Sequence, residues 1–238
     1  MRRAAALALL AVVAGGCGGD GNGQLTVYAA SSLTEVFQEL DPDARYNFAG
    51  SDELATQLRE GAEADVYAAA SPKYPDQLYS EELLDKPEVF ATNRLVIVVP
   101  KDNPARIASL ADLQRAGVKL VIGAEGVPIG DYTRDVLEKA DRPRVLANVV
   151  SEEEDVKGVL GKVRLGEADA GFVYATDTKA AGDDVRAIEL PDAIQATVRY
   201  PVAVVASTKH NAEAREFVEL LRGERGQRLL REAGFGPP

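Results

Sequence analysis

The sequence predicts an α/β protein of two lobes, one inserted into the other. Three observations carry that expectation. From Leu25 onward, short apolar runs alternate with stretches of helical spacing, the order that builds mostly parallel sheets with helices on both faces. Two apolar runs are marked by proline, one ending at Pro100 and one broken at Pro201, and the block between them has its own strand–helix alternation. No internal repeat of fixed short period competes with this pattern. The predicted division is residues 24–99 and 202–238 in the first lobe and 100–201 in the second, with two crossover strands as the hinge. Ligands in open α/β sheets sit outside the strand C-termini, so two such lobes face each other across a cleft.

In chain order, Leu25–Ala30 reads as a buried strand that stops at Ser31-Ser32. Ser32 and Glu35 have the Ser-x-x-Glu spacing of a capping box, which marks a helix start. Taken alone, Ser32 is a helix cap. Arg45–Phe48 is a short strand ending at Ala49-Gly50-Ser51. Leu54, Ala55 and Leu58 then fall at helical spacing within Asp52–Glu60, with Ser51 as the natural N-cap and Gly61 as the stop. Ala64–Ala70 is a strand closed by Ser71-Pro72, and a helix is expected over Tyr74–Leu84. Leu95–Val99 is a strongly apolar strand, Leu110–Arg115 a short helix, and Lys119–Gly123 a strand leading through the 124–130 turn into a helix over Asp131–Ala140. Arg144–Val149 is predicted as a strand. Ser151-Glu152-Glu153-Glu154 reads as a second capping box, opening a helix that runs to about Leu165. Ala170–Tyr174 and Val185–Leu190 are strands, Thr197–Ala206 is a long apolar stretch, and two helices, Ala212–Arg222 and Glu224–Ala233, close the chain.

The formal net charge is −11, from 27 basic and 38 acidic side chains. A nucleic-acid binder or a basic membrane-surface protein has the opposite balance, so both classes are excluded. The first residues form a separate unit. Met1-Arg2-Arg3 is a basic start, Ala4–Ala14 an apolar run too short to span a membrane, and Gly15-Gly16 precede Cys17, the one cysteine of the chain. This is the pattern of a secretory signal peptide over residues 1–16. The small residues before the cysteine resemble a bacterial lipobox, in which Cys17 becomes the first residue and carries lipid. A single cysteine also rules out an internal disulfide framework. Gly18–Gly23 completes a flexible tether over 17–23. Loss of Arg2 and Arg3 leaves 25 basic against 38 acidic side chains, a net −13.

Four strand-to-helix edges carry groups suited to holding the same kind of ligand. They are Ala30-Ser31-Ser32, Gly50-Ser51, Val127-Pro128-Ile129-Gly130, and the helix start near Asp155-Val156 with Tyr174 at the end of the next strand. Hydroxyls and free amides dominate, and no edge has a Lys or Arg at its tip. A fully ionised tetrahedral oxyanion accepts hydrogen bonds at every oxygen and donates none. A donor-lined site at helix N-termini satisfies such an ion without a counter-charge. Pro128 has no N–H, so a helix can begin there while Ile129 and Gly130 keep theirs free.

These stretches resemble the periplasmic molybdate-binding proteins of ABC importers. The resemblance runs from about Leu25 to Gly236 and is carried by Val27-Tyr28-Ala29-Ala30-Ser31-Ser32-Leu33-Thr34, Phe48-Ala49-Gly50-Ser51, Gly61-Ala62-Glu63-Ala64-Asp65-Val66, Val127-Pro128-Ile129-Gly130-Asp131-Tyr132, Glu154-Asp155-Val156-Lys157-Gly158, Gly171-Phe172-Val173-Tyr174 and Tyr200-Pro201-Val202-Ala203. It implies a type II-like periplasmic-binding-protein fold. It also implies that Ser32 and Ser51 each offer a hydroxyl and an amide, Ile129 and Val156 an amide, and Tyr174 its phenol. Molybdenum would be held as molybdate or tungstate through its oxygens, not as a cation on metal ligands. The protein would act as a monomer without a cofactor, close over the anion, and deliver it to a membrane permease, with the Cys17 lipid keeping it at the outer face of the cell membrane.

The chain departs from the family at two places. Ser31 stands where a small apolar residue is usual and offers a further hydroxyl. Asp52 and Glu53 replace a more neutral run. They suit the helix dipole of the empty protein, and at this helical position they are expected to point to solvent. Turned inward, Asp52 would favour a protonated oxyanion such as phosphate over molybdate or sulfate. An enzyme is not expected: His210 is the single histidine, set in a loop, and no Gly-x-Ser-x-Gly elbow or His/Cys zinc cluster occurs.

Overall fold

The computed structural model describes residues 24–238. The predicted signal peptide (1–16), the tether (17–23) and Cys17 lie outside the described residues. Among the described residues, no helix is long and apolar enough to cross a membrane.

Two five-stranded mixed sheets, each flanked by helices, form two α/β lobes. The first contains β1 (Thr26–Ala30), β2 (Arg45–Ala49), β3 (Val66–Ala68), β4 (Glu88–Asn93) and, from far along the chain, β10 (Val198–Val204), in the order β2-β1-β3-β10-β4. The second contains β5 (Leu95–Pro100), β6 (Leu120–Gly123), β7 (Val149–Glu153), β8 (Ala170–Tyr174) and β9 (Val185–Glu189), in the order β7-β6-β8-β5-β9. Each sheet follows one plan. Three strands run parallel, β2-β1-β3 or β7-β6-β8, and a fourth returns antiparallel, β10 or β5. The parallel strands are joined by helices: α1 (Thr34–Leu40), α2 (Ser51–Arg59), α4 (Pro128–Lys139) and α5 (Val156–Arg164). After β3 comes α3 (Lys73–Ser80), after β8 comes α6 (Ala175–Ala181), and α7 (Asn211–Arg222) and α8 (Glu224–Ala233) finish the chain. β5 is buried from Leu95 to Val99, as its unbroken apolar run requires of a strand covered on both faces.

The strand pairing moves the crossovers away from the prolines. Leu95–Val99, expected in the first lobe, pairs with β8 and β9 in the second sheet. Val198–Pro201, expected in the second lobe, pairs with β4 in the first. The chain therefore passes between the sheets at Arg94 and in the segment between Leu190 and Val198. Pro100 merely ends β5. Pro201 sits inside β10 because the ladder with β4 shifts register between Tyr200 and Pro201, where the missing N–H costs no bond. Gln195 ties the two passes together: its side-chain amide donates to the Leu95 carbonyl at 2.9 Å and its oxygen accepts the Leu95 N–H at 3.2 Å.

Three further expectations are corrected. Arg144–Val149 is not a strand: Pro143–Asn148 forms a 3₁₀ turn, its start set by the fixed φ of Pro143. Ser151–Glu154 is not a capping box. It lies mostly in β7, and the helix starts later, with Asp155 as N-cap accepting the Gly158 N–H at 2.8 Å. Ser32 does not cap α1 either. Ser31–Leu33 form a 3₁₀ turn continuous with α1, and the Ser32 hydroxyl bonds elsewhere. β4 and α6 are additions to the expected elements, since neither has a clean apolar period.

The main core runs continuously through both lobes and includes Phe37, Phe90, Phe172, Tyr174 and Tyr200. A smaller cluster of Leu54, Leu58, Tyr67 and Leu78 lies under α2 and α3. At the end of the first lobe away from the cleft, buried Asp65 joins three segments. Its carboxylate accepts the Thr26 N–H at 2.7 Å and the Thr208 hydroxyl, and lies 3.1 Å from His210 Nδ1. The single histidine is thus a loop tie beside Asp65, remote from the strand ends that face the cleft.

Candidate oxyanion site between the lobes

In both lobes the parallel strands end toward the cleft, and the helices that follow start there. The groups singled out from sequence converge on one cavity. Ser31, Ser32 and Ser51 line it from the first lobe, and Ile129, Val156 and Tyr174 from the second. All six are buried, none more than 5% exposed. The free space is small, about 10 Å³, close to what a single water-sized centre occupies.

The backbone donors are free for a reason visible at each helix start. Ala30, Gly50 and Val127, the residues before the respective first turns, make no side-chain cap. The first-turn amides of Ser31-Ser32, Ser51-Asp52 and Ile129-Gly130 thus have no intrahelical acceptor. Pro128 occupies the first position of α4, where its lack of an N–H costs nothing. Gly130 is there for space: a Cβ would come within 2.1 Å of the Ala124 carbonyl. At α5 the Asp155 carboxylate takes the Gly158 N–H and leaves those of Val156 and Lys157 pointing out of the helix end.

The hydroxyls are oriented by bonds behind them. Gly50, not Ser51, takes the N-cap place of α2, and Ser51 Oγ accepts the Ala70 N–H at 3.1 Å, which leaves its own proton to donate into the cavity. Ser32 Oγ lies 3.0 Å from the Tyr200 hydroxyl, which receives Asn93 Nδ2 at 3.4 Å. A relay in which Asn93 donates to Tyr200 and Tyr200 to Ser32 frees the Ser32 proton for the cavity. The Tyr174 hydroxyl is buried without any partner, a costly state for a polar group unless something fills the cavity. Burial pushes the Tyr174 and Tyr200 phenols well up from their ordinary range, so both stay protonated donors. The Tyr174 amide is fixed at 3.2 Å by Asp177, a wholly buried carboxyl that burial raises to about 7.

Asp52 is half-buried, not turned fully to solvent as its helical position predicts. One carboxylate oxygen is buried and unpartnered beside Gly50, and burial raises its pKa. It is not among the residues lining the cavity. Sequence reasoning missed Tyr200, Asn93 and the Ala70 amide, which orient the serines. Tyr200 had one signal, its place immediately before the strand-interrupting Pro201. Among the described residues, no cluster of three or more His, Cys, Asp or Glu could hold a metal cation.

Two α/β lobes, the second inserted between β4 and β10 of the first, with helix N-termini from both converging on a buried cleft, define the architecture of a two-lobed solute-binding protein. The profile described as bacterial extracellular solute-binding protein matches residues 25–236, and the chain belongs to that family. The molybdate-binding protein ModA of Mycobacterium tuberculosis is 39% identical over 229 residues, covering 92% of this chain and 87% of that one. ModA of Escherichia coli is 32% identical over 251 residues, covering 97% and 95%. Among solved structures, the periplasmic molybdate-binding protein of Azotobacter vinelandii superposes with a TM-score of 0.80 at 19% identity, covering 90% of this chain and 100% of that one. The sulfate-binding protein SubI of M. tuberculosis gives 0.77 at 18% identity, covering 90% and 86%, and speaks for the fold alone.

Proposed function

We propose that this protein captures molybdate or tungstate outside the cytoplasm by closing two lobes over the oxyanion, and hands it to an ABC transporter permease. The observation that carries the reading is the Tyr174 hydroxyl, buried and unpartnered in a cavity whose other polar lining is serine hydroxyls, helix N-termini and Asp155, whose carboxylate is engaged by the Gly158 N–H. A lining dominated by donors suits an anion with no proton to give. Ser32 and Ser51 supply hydroxyl and amide, Ile129 and Val156 amides, and Tyr174 its phenol, with Ser31 as an added donor. Similarity to molybdate-binding relatives in two bacteria supports the choice of anion. In this reading the protein is a monomer and not an enzyme, needs no cofactor, and is held at the membrane by lipid on Cys17.

Calorimetric titration with molybdate, tungstate, sulfate and phosphate tests the proposal. Submicromolar binding of the first two alone is the expected result, and silence with all four refutes it. Replacing Ser32 and Ser51 together by Ala should remove two charge-assisted bonds of about 1.5–3 kcal/mol each and weaken binding by about a hundredfold or more, with the melting transition retained. Undiminished affinity in that double variant would show that the cage lies elsewhere.

A further inference from the structure

The cavity has no cation in its wall, yet two lysines stand immediately outside it, and both reach across the cleft. Lys73, at the start of α3 in the first lobe, places Nζ 2.9 Å from Asp131 in the first turn of α4 in the second. Lys157, in the first turn of α5 in the second lobe, places Nζ 2.8 Å from Glu35 in the first turn of α1 in the first. Each pair therefore joins the first turns of two helices that face the cleft from opposite lobes.

Both contacts continue into the cavity wall. The other Asp131 oxygen accepts the Gly126 N–H at 2.8 Å, and the Gly126 carbonyl accepts the Tyr74 hydroxyl of the first lobe at 2.6 Å. The turn before Ile129 is thus held at Gly126 by both lobes, its N–H by Asp131 of its own lobe and its carbonyl by Tyr74 of the other. On the other rim, Lys157 also lies 3.6 Å from Asp177, whose second oxygen holds the Tyr174 amide. Between the two rims the lobes also approach closely at Gly50, where a Cβ would lie 2.5 Å from the Glu154 carbonyl oxygen.

We infer that Lys73 and Lys157 are positioning residues for release: they clasp the closed lobes on either side of the oxyanion and set how slowly it escapes, without touching it. The two pairs have opposite polarity, lysine from the first lobe on one rim and from the second on the other. Closing therefore matches charges at both rims and a shifted closure mismatches them. The inference rests on the oxyanion reading for its ligand, and on cross-lobe geometry alone for the clasp.

The test is stopped-flow binding and release of molybdate, with small-angle scattering of the ligand-free and molybdate-loaded chain. Pairs of this exposure, 28–55% on their side chains, are worth a factor of about 1.5 to 5 each. Lys73→Gln and Lys157→Gln should each speed release by about that factor, and the double variant by about the product, with association changed less. Added salt should speed release from the parent and leave the double variant nearly unmoved. Glu35→Gln breaks the same pair while leaving Lys157 beside Asp177, and should speed release by the factor seen for Lys157→Gln.

Parent-like release in the double glutamine variant, or in Glu35→Gln, overturns the clasp. Should the parent bind no oxyanion, the functional reading falls by itself. Scattering then decides the clasp: the ligand-free parent must be more compact than the double glutamine variant at low salt, and equal dimensions overturn it.

Discussion

Gly50→Ala adds one methyl group and removes no donor, so it probes how closely the lobes approach at the edge of the cavity that Gly50 lines. Gly50 has φ −60° and ψ 139°, values any residue adopts, so the backbone itself is not strained by alanine. The obstruction lies across the cleft: the new Cβ would stand 2.5 Å from the Glu154 backbone oxygen and 2.7 Å from an Asp52 carboxylate oxygen. Asp52 can swing away, but the Glu154 carbonyl follows directly on β7 and moves only with its lobe. Restoring an ordinary separation of about 3.4 Å requires the rims to part by about 0.9 Å at this point. Val156 lies two residues further on, so a hydrogen bond of about 2.9 Å from its amide lengthens beyond what counts as a bond. Losing one charge-assisted bond of about 1.5–3 kcal/mol weakens molybdate binding by about tenfold to two-hundredfold. Calorimetry measures this, and thermal melting confirms that the variant is folded. Gly161→Ala serves as the control: a Cβ there meets nothing within 4 Å, so it should leave affinity unchanged and stabilise α5 by about 0.5–1 kcal/mol. Parent-like affinity in Gly50→Ala would refute the argument that the site is completed by close approach of the lobes.

Other expectations follow from groups away from the cavity. Asp177 titrates at about 7 when folded and near its ordinary 3.8 when unfolded. Between those values the folded chain holds a proton the unfolded chain has lost, so stability falls as pH rises through that window and levels off above it, by about 4 kcal/mol in all. Asp177→Asn keeps an acceptor for the Tyr174 amide and should melt higher than the parent at pH 8 but alike at pH 4; a constant difference across pH would count against this assignment. Asp65→Ala leaves the Thr26 N–H and Thr208 hydroxyl without their acceptor and should cost about 2–4 kcal/mol in urea unfolding while sparing molybdate affinity. Gln195→Ala unties the two inter-lobe passes and should raise amide exchange at Leu95 with little change in global stability.

The alternation of strand and helix was legible because each element has its own apolar period, as in the β5 run and in α7. The six groups that line the cavity were legible because strand-end serines and a Val-Pro-Ile-Gly turn are local signals. What sequence could not supply was pairing. Leu95–Val99 is equally apolar in either sheet, and only its partners β8 and β9 assign it to the second. Capping motifs misled for a related reason. The Ser32 hydroxyl has a stronger claim from Tyr200, 168 residues away, than from its own helix, and Ser151–Glu153 is drawn into the ladder with β6. Asp52 shows the same limit: a first-turn acid points to solvent in an isolated helix, but here one of its oxygens is buried beside Gly50.

The absence of a cation from the cavity wall has a further consequence for a protein that meets the surroundings of the cell. Amides and hydroxyls do not change charge between about pH 4 and 9, and the two phenols beside them are held protonated by burial. A wall of that kind keeps the same donors in acidic and alkaline media, whereas a histidine-based receptor would switch off on one side of neutrality. The carboxylates nearest the cavity are Asp155, which lines it at the start of α5, and Asp177 behind Tyr174. The chemistry of recognition is therefore buffered against the medium, and what the medium can adjust is its salt-sensitive rim.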